Sequence, residues 1–134
     1  MYYVERVGLA AAQAAAKQHE ITNADERLIR KELVRVWSKT LKEYAKPGRT
    51  IPPVDTLRKQ LIDIGTEAAV DAIVHEHWFV FGWMVRDKIR TTIENGFARF
   101  DLADFIEDVK ETQRNPQMLE PMLNKIKKYV LEEL

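Results

Sequence analysis

Residues 27–49, with the sequence RLIRKELVRVWSKTLKEYAKPGR, decide how the chain is organised. A helix turns by about 100° per residue, so this pattern separates apolar from basic side chains. The apolar arc holds Ile29, Leu33, Val36, Trp37, Leu41 and Tyr44. The basic arc, within about 120°, holds Arg27, Lys31, Arg35, Lys39, Lys42 and Lys46. The stretch therefore predicts an amphipathic helix with one face directed to a core.

Positive charge is concentrated in the same stretch. Its eight basic residues are accompanied only by Glu32 and Glu43, which gives a local net charge of +6 in a chain that is neutral overall. Like charges four residues apart on a helix repel, so this face favours an external polyanion. A solvated helix face is the alternative, but the Pro47-Gly48-Arg49 connector extends the positive track. The candidate DNA-binding residues are Arg27, Arg30, Lys31, Arg35, Lys39, Lys42, Lys46 and Arg49.

The rest of the chain also predicts helices. The 134 residues are 46% apolar and 31% charged, which is a globular composition, and no segment alternates convincingly at period two. We therefore expect an all-α fold with a helical arm over residues 1–53 that includes the basic helix, followed by a helical bundle over residues 54–134. Capping residues and breakers predict helices over 3–20, 23–45, 54–65, 66–94, 101–114 and from 116 to the C-terminus.

A second feature is the apolar run WFVFGWMV at residues 78–85, inside the predicted helix 66–94. A helix that is apolar on all sides is either the central helix of a bundle or is buried against another subunit. The candidate subunit-interface residues are Trp78, Phe79, Phe81 and Trp83.

The apolar run at residues 78–85 is far shorter than the roughly 20 residues of a membrane span, and no secretory signal is visible. We expect no transmembrane segment and a chain that folds inside the cell.

Catalytic chemistry has little support in the sequence. The absence of cysteine excludes disulfides, zinc ribbons and thiol catalysis, and Ser38 is the single serine. Glu67, Asp71 and His75 share a predicted helix face, but a His-Glu-x-x-His zinc motif is absent. A helix also places His75 and His77 on different sides. We therefore expect no enzyme, no metal and no cofactor.

A helix-turn-helix reader of base sequence is also disfavoured. Residues 57–61 lead into Gly65 and a second predicted helix, as in that motif. The candidate recognition segment, residues 66–76, contains three acids and no Arg, Lys, Asn or Gln for base edges. The positive charge lies elsewhere, in the basic helix, where contact with the phosphate backbone is favoured.

Two short motifs resemble those of a known family. Leu61-Ile-Asp-Ile-Gly65 leads into the predicted long helix, and Arg114-Asn-Pro-Gln-Met-Leu-Glu120 opens the last one. Over residues 54–130 the chain resembles the major coat proteins of rod-shaped and filamentous archaeal DNA viruses, the rudivirus, lipothrixvirus and tristromavirus lineage. Rod-type members carry a short basic Gly/Ser arm at the N-terminus, whereas this chain has a predicted helix pair there, which is closer to the filamentous branch.

The resemblance implies a viral coat protein whose N-terminal helices wrap double-stranded DNA, held in A-form, inside a helical virion. It also implies a dimer, either of this chain or with a related coat protein, and contacts with neighbouring subunits. The charged fraction and the lack of cysteine suit a hyperthermophilic host. We expect residues 1 to about 50 to become ordered only on DNA. The alternative is a cellular, dimeric, all-helical DNA-associated regulator or adaptor.

Overall fold

The computed structural model describes residues 21–77 and 79–134, and within them every regular element is helical. The α-helices are α1 (Asn23–Tyr44), α2 (Val54–Glu76), α3 (Gly82–Phe97), α4 (Leu102–Arg114) and α5 (Leu119–Glu132), with a 3-10 turn at Pro116–Met118. The predicted all-α class is confirmed. The predicted helix over residues 3–20 lies outside the described residues. No helix in the described part of the chain has the length and apolar character needed to cross a bilayer.

The helix ends follow local side-chain chemistry. Thr22 caps α1, because its hydroxyl accepts from the Asp25 backbone N–H at 3.1 Å while the Asp25 carboxylate accepts from the Thr22 N–H at 3.2 Å. Asp101 caps α4, because its carboxylate accepts from the Asp104 backbone N–H at 3.0 Å. After α1, Gly48 takes a positive φ of 81°, a conformation that glycine adopts without steric cost. These starts and this stop are the ones that the sequence predicts.

The predicted helix boundary at Gly65 is wrong. Helix α2 continues through Gly65 to Glu76, and Thr66, the first residue of the predicted helix over 66–94, is buried inside it. The helix ends at Glu76 and the next begins at Gly82, and residues 77 and 79–81 between them are not helical, so a break interrupts the apolar run that was predicted to lie inside one helix. Val80 and Val85 are both buried. On one continuous helix they would point about 140° apart, so the break lets both reach the core.

Helices α1 and α2 approach each other closely at Trp37. The indole is fully buried, and its Nε1–H donates a 2.7 Å hydrogen bond to the Leu61 carbonyl oxygen. A Cβ on Gly65 would lie 2.5 Å from Leu33 Cδ2 and 3.0 Å from the Trp37 Nε1. Gly65 is therefore required because it allows the two helices to meet, and not because it ends one of them.

Helix α1 belongs to the core of the bundle. A single hydrophobic cluster joins Leu33, Trp37 and Leu41 of α1 to buried residues of the other four helices. Helix α1 packs on both α2 and α5, and α3 packs on α2. The sequence predicts an arm up to residue 53 and a bundle from residue 54, but the hydrophobic cluster includes residues from both ranges. The expectation that residues up to about 50 become ordered only on DNA is wrong for α1, because its apolar arc is already buried.

Two polar contacts hold the ends of the helices. The Arg58 guanidinium on α2 donates to the carbonyl oxygens of Phe97 at 2.8 Å and Phe100 at 3.0 Å, which attaches α2 to the end of α3 and the turn that follows it. The Gln113 side-chain amide on α4 donates to the carbonyl oxygens of Tyr44 at 2.7 Å and Arg49 at 2.8 Å. The connector after α1 is thereby attached to α4.

We predict that Gly65→Ala destabilises the protein, because the added methyl group would overlap with Leu33 and the Trp37 indole. Overpacking of this kind typically costs about 1–3 kcal/mol, and denaturant unfolding monitored by Trp fluorescence would measure the loss. Gly96→Ala is the matched control, since the three atoms nearest to its Cβ, at 2.8–3.5 Å, all belong to the Leu134 side chain, which can move aside more readily than the fully buried Trp37 indole. Equal stability of the Gly65 variant and the parent would contradict the close approach of α1 and α2.

Candidate nucleic-acid interface

The outer side of α1 is basic along its length. Because the apolar arc of the helix is buried, the opposite side faces solvent. We define the cationic face as six exposed side chains, five on α1 and one in the turn that follows it: Arg27, Lys31, Arg35, Lys39, Lys42 and Lys46. Arg30 is half-buried at one edge of this face, and Arg49 is exposed in the connector that follows. The structure therefore brings the predicted DNA-binding residues to one side of the protein.

Some of these charges are paired, which the sequence analysis did not anticipate. Arg35 lies 2.7 Å from a Glu32 oxygen, and Lys46 lies 2.7 Å from Glu43. The Lys46 hydrogen bond, more than the nearby charges, holds the pKa of the Glu43 carboxyl below its ordinary value. Longer contacts of 3.8 Å join Arg49 to Glu43 and Arg30 to Glu26. The Glu32 and Arg30 side chains are mostly covered, but each of their partners and both other pairs are exposed to solvent, where salt screens such interactions strongly.

Four members of the cationic face have no carboxylate within salt-bridge distance among residues 21–77 and 79–134. These four are Arg27, Lys31, Lys39 and Lys42. They occupy both halves of α1, so uncompensated charge runs along the whole helix. The face therefore retains a positive potential after internal pairing, and it can attract an anion with several charges at similar spacing.

Grooves flank the cationic face on both sides. The α1–α5 groove is lined by Arg27, Arg30, Lys31, Val34, Lys127 and Leu131. The α1–α2 groove is lined by residues that include Arg35, Lys39, Glu43 and Arg49. Lys127 is the residue that the sequence analysis missed. Its only local signal is the basic cluster at residues 125–128, and its place beside α1 depends on how α5 packs.

The aromatic segment, residues 79–83, lies at the break between α2 and α3. Phe79, Phe81 and Trp83 are 56%, 58% and 60% exposed, whereas the intervening Val80 is buried. The prediction that these rings project from one continuous helix is wrong, because Phe79 and Phe81 precede α3 and Trp83 lies in its first turn. The fourth candidate, Trp78, lies outside the described residues. Exposed rings of this size are typical of a surface that contacts another molecule.

The acidic and histidine residues do not form a metal site in the described part of the chain, where no group of three or more potential ligands comes together. Glu67 pairs with Arg86 at 2.9 Å and not with His75. His77 Nε2 lies 2.9 Å from the buried Asp25 carboxylate. Burial raises the pKa of Asp25, but hydrogen bonds from His77 and Thr22 outweigh it and bring the pKa below its ordinary value. This pair joins the start of α1 to the end of α2.

The chain matches no protein-family model, no curated protein and no solved structure. The resemblance to archaeal viral coat proteins therefore stays a prediction. Function must be inferred from the cationic face, the two grooves and the aromatic segment.

We predict that the Asp25 carboxylate makes stability depend on pH. A carboxyl whose pKa is lower in the folded state stabilises the protein above its unfolded pKa of about 3.9, and this contribution is lost as pH falls through the folded value. Asp25→Asn should therefore lower the free energy of unfolding at neutral pH, and its difference from the parent should shrink below about pH 4. Unfolding curves between neutral and acidic pH would measure this.

The matched control for Asp25→Asn is Asp101→Asn. Asp101 also caps a helix, but it is exposed, and Asn is an equally good cap. We expect the Asp101 variant to keep most of the parent's free energy of unfolding at neutral pH. A difference between the Asp25 variant and the parent that stays constant from neutral to acidic pH would contradict the prediction.

Proposed function

We propose that the protein binds double-stranded DNA through its phosphate backbone, independently of base sequence, and packages it as a coat protein of a helical filamentous virion assembled from chains made in the host cytoplasm. The observation that carries the proposal is the cationic face of α1, which faces solvent because the other side of the same helix is buried in the core.

The dimensions of α1 suit a duplex. From Arg27 to Lys42, the last cation within α1, the helix extends about 22 Å at about 1.5 Å per residue. Duplex DNA presents about one negative charge per 1.7 Å of its axis, so about thirteen phosphate charges lie alongside that length. The core holds α1 in place before any ligand arrives, which reduces the entropy lost on binding.

The side chains of the cationic face favour phosphates over base edges. Between Arg27 and Lys46 the sequence has no Asn or Gln, the residues that read adenine in the major groove. Lysine supplies four of the six cations, and a lysine ammonium interacts with phosphate as a point charge. Contacts of this kind position a protein on DNA without selecting a sequence.

The aromatic segment supports the assembly part of the proposal. A coat protein must contact its neighbours, and Phe79, Phe81 and Trp83 are exposed rings in a segment outside α1 and its flanking grooves. With Trp78, they are the proposed subunit contacts. The A-form of the DNA, a dimeric building block and a related partner chain are further proposals that rest on the family resemblance.

The second candidate is a cellular DNA-associated regulator or adaptor that acts as a soluble dimer. It is favoured by the burial of α1 in the bundle, because the basic helix is then part of a folded body and not a separate arm. Electron microscopy of the protein with long duplex DNA distinguishes the two candidates. A coat protein forms continuous regular filaments, whereas a regulator forms separate complexes of defined size.

We predict that reversing three charges of the cationic face, Lys31→Glu, Arg35→Glu and Lys39→Glu together, weakens duplex binding at least about 100-fold at low salt, because three phosphate contacts become repulsive. The loss should be similar on duplexes of unrelated sequence. Fluorescence anisotropy with labelled duplexes would measure both affinities.

The matched control reverses three exposed lysines on other helices, Lys59, Lys88 and Lys110. It changes the net charge by the same amount and leaves the cationic face intact. We expect this control to keep most of the parent affinity. Equal losses in the two triple variants would show that only total charge matters and would contradict a site on α1.

We predict that Phe81→Ser and Trp83→Ser each weaken self-association, because an exposed aromatic side chain that becomes buried between subunits contributes apolar area to the interface. Sedimentation velocity over a range of concentrations would measure the change. Met118→Ser is the control, since Met118 is an exposed apolar residue outside the aromatic segment. A parent protein that remains monomeric at high concentration, with or without DNA, would contradict the proposed contacts.

A further inference from the structure

We infer that the α1–α5 groove holds one phosphodiester strand of the bound DNA, and that Lys127 of α5 is a DNA-binding residue. This inference rests on the proposed function. It changes the site from a row of charges on one helix to a groove with two walls, in which α1 supplies Arg27, Arg30 and Lys31 and α5 supplies Lys127.

The charge of the groove sets it apart from the other concave surfaces described. No carboxylate lines it. By contrast, Glu43 lines the α1–α2 groove, and the cavity near the start of α1 is lined by Asp25 and Glu76. The cavity between α4 and α5 is lined by Asp108 and Glu111. A phosphate that enters any of these three meets a negative group in the lining, whereas the lining of the α1–α5 groove consists of cations and apolar groups, with Glu26 near it only through its 3.8 Å contact with Arg30.

The apolar residues of the groove favour a phosphodiester strand over a small free anion. Val34 and Leu131 lie among the four cations, and the Leu131 side chain is 50% exposed. A nucleic-acid strand alternates charged phosphates with less polar sugars, so cations and apolar side chains in the same groove match its two components. A small anion such as inorganic phosphate would leave Leu131 in water.

The neighbouring lysines of α5 show why Lys127 is the residue to test. The Lys125 ammonium lies 2.7 Å from Asp108 and 3.4 Å from Asp104, and the hydrogen bond to Asp108 chiefly raises its pKa. Its charge is therefore compensated on the α4 side. Lys127 and Lys128 are both exposed, but only Lys127 lines the α1–α5 groove.

The experiment compares Lys127→Gln with Lys128→Gln in the full chain, by duplex binding at several salt concentrations. The two substitutions are at adjacent exposed positions of one helix. Each removes one positive charge, and glutamine, like lysine, is a good helix former. We expect Lys127→Gln to weaken binding on every duplex and to reduce the slope of log affinity against log salt by about one, as the loss of one phosphate contact does. Lys128→Gln should bind as the parent does. Inorganic phosphate at the same ionic strength as chloride should compete no better than chloride.

The outcomes separate this inference from the proposed function. If the parent binds duplex DNA and loses binding on reversal of Lys31, Arg35 and Lys39, while Lys127→Gln leaves affinity and slope unchanged, the groove inference is overturned and the proposed function stands. Equal weakening by the Lys127 and Lys128 variants overturns it as well. Specific competition by inorganic phosphate would show a small-anion site in place of a strand-binding groove. A parent that does not bind duplex DNA contradicts the proposed function itself.

Discussion

The buried hydrogen bond from the Trp37 indole to the Leu61 carbonyl, made possible by the bare backbone of Gly65, fixes how α1 sits on the bundle. A rotation of α1 about its axis would separate the indole from its acceptor and expose Leu33 and Leu41. The outward direction of the cationic face therefore follows from a packing constraint on the opposite side of the helix. The same constraint explains why the basic helix is part of the core and not a separate arm.

The two faces of α1 have opposite effects on its stability. Like charges four residues apart destabilise a helix by a few tenths of a kcal/mol per pair, and the cationic face contains several such pairs, of which Arg27 and Lys31 are one. Burial of a single large apolar side chain contributes about 1.5–3 kcal/mol, and Leu33, Trp37 and Leu41 are all fully buried. The core therefore outweighs the repulsion, and the helix can present unneutralised charge to an anion without unfolding.

Local chemistry in the sequence predicted much of the fold, and tertiary contacts account for the rest. The Thr22 and Asp101 caps and the apolar arc of α1 depend on residues that are close in sequence, so the sequence pattern alone predicts them. Gly65 was interpreted as a helix end because its real role, admitting Trp37, depends on a residue 28 positions earlier. The break after α2 was not predicted for the same reason, because it depends on the packing of Val80 in the core. Lys127 reaches the candidate site only through the packing of α5 on α1.

The dependence of duplex affinity on salt tests the central claim most directly. If the cationic face binds phosphates, log affinity falls linearly with log salt, with a slope of about −5 for six contacts at about 0.9 each. The slope and the affinity should agree between two duplexes of unrelated sequence and equal length. Affinity that is insensitive to salt, or a strong preference for one of the two sequences, would contradict a phosphate-binding face on α1.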